Sequence, residues 1–142
     1  GLNMLTNITS LTAYVAMQAI IPKTAPRLDA NLQIAPEQQY QADYYAGIAA
    51  RLGLLSGDKI TSWKAMQNIS AGEKDKLIEV EMTEADRNML IAVLEYDIRE
   101  NEEVLRDHKN RNNVNSLVRS LSGIVDTLKS AVLELSTLNI EE

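Results

Sequence analysis

Cysteine is absent from the 142 residues, and so is phenylalanine. The first absence excludes a disulfide framework, thiol catalysis and thiolate metal sites. The second, with Trp63 as the single tryptophan, leaves Leu, Ile, Val, Ala and Met to build the core. The one histidine, His108, cannot make a metal site alone, and neither metal nor cofactor is expected. The Gly-rich phosphate loop, zinc-ligand spacing and serine motif on a strand–turn–helix are all missing. No small-molecule substrate is evident, and a non-enzymatic protein is expected. Leu11 to Ile21 is the only apolar run that resembles a targeting segment. It is too short to span a bilayer and lacks a basic stretch ahead of it. The chain reads as soluble and cytoplasmic, with no membrane partner.

Basic charge is scarce and unevenly placed. Residues 1–70 carry Lys23, Arg27, Arg51, Lys59 and Lys64 against Asp29, Glu37, Asp43 and Asp58, a balance of +1. With a formal net charge of −6 overall, residues 71–142 hold −7. That second half should avoid nucleic acid and anionic surfaces.

What the sequence has in abundance is helical periodicity near its end. Val114, Leu121, Leu128 and Leu135 recur in sevens. Leu117, Ile124, Ala131 and Leu138 follow three residues later, and Val118, Val125 and Val132 stand beside them. The a/d/e pattern predicts a helix over 114–139 whose apolar stripe is too wide for one partner. Val118, Ile124, Val125, Val132 and Leu135 are therefore candidates for an oligomer interface. A matching helix is expected over 83–108, opened by Thr83 as cap with Glu84 and Asp86 in its first turn. Its outer face carries Glu95, Asp97, Arg99, Glu100, Glu102, Glu103, Arg106 and Asp107 and reads as solvated. Asparagines at 110, 112 and 113 mark the turn between the two, giving an αα-hairpin.

Upstream, Met4, Ile8, Leu11 and Val15 recur at helical spacing and predict a first helix over 3–21, stopped by Pro22. Pro22, Pro26 and Pro36 bar regular helix from a connector over 22–36, which reads as an extended segment or as an arm reaching a neighbour. Pro36 then opens a second helix ending near Gly53, with Tyr40, Tyr44, Ile48 and Leu52 at i+4 spacing. Tyr40, Tyr44 and Tyr45 make an aromatic cluster suited to a core edge or interface. Asp58 caps a third helix running to about Ile69. Ile78, Val80 and Met82 alternate with Glu79 and Glu81 and read as a short extended piece, or equally as a helical turn.

The expected fold is all-α. A small N-terminal helical domain over 1–70, with the Pro-rich connector 22–36, is followed by a linker over 71–82 and a helical hairpin over 83–142. The favoured function is an assembly or adaptor protein acting through helix–helix contacts, as a homo-oligomer or with a helical protein partner. The alternative rests on residues 44–69, which resemble a helix-turn-helix. There Arg51, Lys59, Thr61, Ser62, Lys64 and Gln67 would contact DNA, with the hairpin as oligomerisation element. The near-neutral charge of that half argues against nucleic acid without excluding it.

Overall fold

The structure, a computed structural model, describes residues 4–26, 28–51, 76–112 and 115–138. The order of elements is β1 (Met4–Thr9), α1 (Ser10–Ile20), a 3-10 turn (Ile21–Thr24), α2 (Pro36–Arg51), β2 (Leu77–Met82), α3 (Glu84–Asn110) and α4 (Asn115–Thr137). The molecule is mainly helical, as its periodicities require, but it is not all-α.

The correction falls on residues 3–21. Met4–Thr9 is a strand rather than the first turns of a helix, and it pairs antiparallel with β2. Thr6 faces Val80 and Ile8 faces Ile78, so the alternation of β2 meets a matching alternation in β1. Ile8, Val80 and Met82 are buried, while Leu5, Asn7, Leu77 and Glu79 face outward. The ladder runs directly into α1: Ser10 donates to the Lys76 carbonyl from both its amide, at 2.7 Å, and its hydroxyl, at 2.8 Å. The stretch expected as a linker thus supplies half of the sheet.

Thr9 ends the strand and caps the helix. Its hydroxyl oxygen accepts from the Thr12 amide at 3.3 Å. Its own amide and hydroxyl donate to the two carboxylate oxygens of Glu134 on α4, each at 2.8 Å. An acidic group from the far end of the chain therefore sits at the N-terminus of α1, where the helix dipole favours it. Ala13, Val15, Ala16, Met17, Ala19 and Ile20 are all buried. A helix apolar nearly all round belongs inside, and its alanines let neighbours approach closely.

Helices α3 and α4 pack most extensively on each other. Arg87, near the start of α3, donates to the carbonyl of Leu138 at 2.9 Å, and Glu102 faces Lys129 at 3.8 Å. These pairings run in opposite directions along the two helices, so they form an antiparallel hairpin. Asn112 takes φ 54° just beyond α3, a left-handed cap that asparagine tolerates. Leu90, Val93, Leu94 and Ile98 of α3 and Val125, Leu128, Ala131 and Leu135 of α4 join α1 and the sheet in one core.

Helix α2 begins at Pro36 as its sequence predicts, but its inner face is rotated from the expected one. Ala42, Ile48 and Ala49 are buried and Tyr45 packs on the core, whereas Tyr40 and Tyr44 are exposed. Between α1 and α2 the connector is neither a plain arm nor a plain cover. Leu28 bridges Ile34, and the Asp29 carboxylate accepts from the Asn31 and Gln33 amides at 2.8 and 2.9 Å, closing a tight loop. The third helix expected over 58–69 lies outside the described residues.

Candidate functional site: the bare half of the hairpin

The most informative geometry is a mismatch of lengths. Helix α4 has 23 residues and spans roughly 34 Å, whereas the 11 residues of α1 span roughly 16 Å. Thr9 stands at Glu134, near the C-terminal end of α4, and α1 runs back along α4 until Gln18 and Ala19 come level with Gly123 and Ile124. There the chain turns away. Pro22 has no amide to donate and its ring opposes further α-helix. Beyond that level α3 alone, among the described elements, flanks the stripe.

The consequence is read from exposure. Val125, Leu128, Ala131 and Leu135 are buried. In the preceding turns of the same stripe Leu117 is 42% and Ile124 47% exposed, and Val118 and Leu121 are half-buried. On α3 the same change occurs after Ile98: Asn101 and Leu105 are half-buried, and Val104 is exposed. Of the five interface candidates, Val125 and Leu135 are occupied within the protomer and Val132 packs against its core. Val118 and Ile124 belong to the bare half.

Where α1 ends, a cavity of about 700 Å³ opens between α1, α3 and α4. Tyr14, Val15, Ile124 and Leu128 give it apolar walls, and Gln18, Asp97 and Asn101 line its polar side. Asp97 was expected on a solvated face and is instead half-buried. Burial pushes its carboxyl above the ordinary range, Lys23 opposes this and Glu100 adds to it. Asp97 also borders a second cavity, of about 470 Å³, shared with Lys23, Gln38 and Tyr45. The Lys23 ammonium lies 5.8 Å from the centre of the Tyr45 ring and 6.0 Å from that of Tyr96, within cation–π reach of both.

A second polar centre is built at the other end of α3. Arg51, at the end of α2, donates to both oxygens of Asp86, from Nε at 3.1 Å and from Nη2 at 2.5 Å. Asp86 also completes a capping box with Thr83. Burial alone would raise the Asp86 carboxyl, but hydrogen bonds from Arg51 and from the Thr83 backbone outweigh it and hold the group below its ordinary value. The bidentate geometry is the one guanidinium and carboxylate prefer. It commits Arg51, expected as a possible DNA contact, to tying α2 to α3. Lys59, Thr61, Ser62, Lys64 and Gln67 lie outside the described residues.

Exposed apolar side chains also gather on the 28–34 loop, where Leu28, Leu32 and Ile34 face outward and Leu32 takes φ 60°. Among the described residues no group of His, Cys, Asp and Glu could hold a metal ion, and no helix is long and apolar enough to cross a membrane. No family model, no curated protein and no solved structure matches the chain.

Proposed function

We propose that the protein is a non-enzymatic assembly subunit that self-associates through the bare half of its hairpin. One observation carries the reading: a single apolar stripe runs the length of α4, and α1 covers only its C-terminal part. Leu117, Val118, Leu121 and Ile124 keep the periodicity of a packed helix with α3 on one flank and, among the described residues, no element on the other. Burying such a surface gains about 25 cal/mol for each Å² removed from water, which offsets part of the cost of bringing two chains together. Stiff Val and Ile side chains favour a defined mate over a loose one.

The test is solution mass by light scattering, for the parent and for Val118→Asp. The parent should run at twice the chain mass or more, and the variant should run lighter with unchanged helicity. A parent that remains a monomer at high concentration would refute the reading. Val125→Asp is not a useful probe, because Val125 is buried within the protomer and a charge there would unfold it.

A further inference from the structure

We infer that the cavity of about 470 Å³ between α1, α2 and α3 binds a small zwitterion, an α-amino acid, with its carboxylate on Lys23 and its ammonium on Asp97. The inference is independent of the self-association proposed above and uses no residue of the bare stripe.

Two opposite charges carry the argument. Lys23 and Asp97 line one cavity and both are half-buried. Among the described residues neither has an oppositely charged group within ion-pair distance. They are too far apart to touch and near enough for the Lys23 charge to favour the ionised carboxylate. The Lys23 ammonium lies instead toward the rings of Tyr45 and Tyr96. Tyr45 is itself fixed, its hydroxyl donating to the Met89 sulfur at 3.8 Å. Opposite charges held in this way carry the cost of desolvation without the gain of a contact. An α-amino acid presents both complementary charges on one carbon. Because the two charges of the lining cancel, a neutral molecule bearing both signs fits better than a simple anion or cation.

The remaining lining suits a polar guest. Gln38 and Gln41 stand one turn apart on α2, and Gln18 lines the cavity from α1. None of these three side-chain amides has a hydrogen-bond partner among the described residues. Each offers donors and an acceptor to the polar groups of the guest. Room is left because Ala19 and Ala42, both buried, stand where larger side chains would fill the space. Pockets that hold small ligands run from roughly 300 to 1,000 Å³, and this one falls within that range.

The experiment is isothermal titration calorimetry of the whole chain with each of the common L-amino acids. The tightest is then compared with its N-acetyl form, which lacks the ammonium, and its primary amide, which lacks the carboxylate. Saturable binding is expected, and blocking either end should weaken it about tenfold or more, as loss of a charge-assisted hydrogen bond requires. Asp97→Asn and Lys23→Gln should each weaken the free amino acid by a similar factor, with helicity checked by circular dichroism. The losses should also be specific to one end. Asp97→Asn should erase the preference for the free over the N-acetyl form and keep the preference for carboxylate over amide; Lys23→Gln should do the reverse. Absence of saturable binding by any amino acid overturns the inference. So does a parent that binds the blocked and free forms alike, a result that needs no variant to fold. Binding that survives both substitutions lies elsewhere and overturns the site. Solution mass is read separately, so self-association stands or falls on its own.

Discussion

Val125 to Leu135 and Leu117 to Ile124 carry the same repeat of apolar residues on the same helix, in very different surroundings. The first segment is sealed by α1, α3 and the sheet; the second has α3 on one flank and, among the described residues, nothing on the other. The difference arises outside α4, from Pro22 and the length of α1. A heptad pattern thus reports that a helix wants neighbours along its whole length, but which neighbours it gets is decided by other elements.

Substitutions that treat the two segments alike should expose the contrast. Leu135→Ala empties a fully buried site and should cost about 2–5 kcal/mol in urea unfolding, with no direct effect on association. Asp86→Ala removes half of a capping box and leaves Arg51 without its carboxylate, at about 2 kcal/mol, a figure reduced because the guanidinium keeps partial access to water. This loss should depend on pH. The carboxyl is held below its unfolded value, about 3.9. Its contribution is complete above that pH and disappears as pH falls through the lower folded value. The parent and Asp86→Ala stability curves should therefore converge on the acid side. Thr9→Val keeps the strand but removes the cap and one bond to Glu134, for about 1 kcal/mol. Leu117→Ser, in the bare segment, should change the unfolding of the isolated protomer by about 0.5 kcal/mol or less. It should instead weaken association. A large folding loss at Leu117 would mean that it is packed within the protomer, and the contrast would vanish.

Much of the fold was legible because its signals are local. Pro36 at a helix start, Thr83 with Asp86 in a capping box and Asn112 just after α3 act within a few residues of themselves. Residues 74–81 leave two readings open, an extended piece or a helical turn; the strand Leu77–Met82 is the first of them, with Ile78, Val80 and Met82 alternating without interruption. Residues 4–9 were misread because Met4 and Ile8 suit either period, and Leu11 and Val15 extended the helical one. What makes them a strand is β2, separated by α1, α2 and residues 52–75. Thr9, whose hydroxyl accepts from the Thr12 amide three residues on, was the available sign, a capping residue in the middle of an assumed helix. The candidate site was half legible. Val118 and Ile124 lie in the bare segment, but no local pattern distinguishes them from Val125 and Leu135. Asp97 looks like its charged neighbours in sequence and differs only because Gln18 and Lys23 stand beside it in space. Arg51 was similarly opaque, since its partner Asp86 lies on another helix.

The two hydrogen bonds from Thr9 to Glu134 join segments made at different times. The two residues are 125 positions apart, so α1 leaves the ribosome long before the helix that completes its packing. At ordinary synthesis rates the delay is on the order of ten seconds. Throughout it Val15, Met17 and Ile20 lack the surface that will bury them. Closing so long a loop is slow compared with forming the hairpin, whose contacts are near in sequence. Contacts near in sequence, as in the α3–α4 hairpin, are available before those that β1 and α1 make with α4.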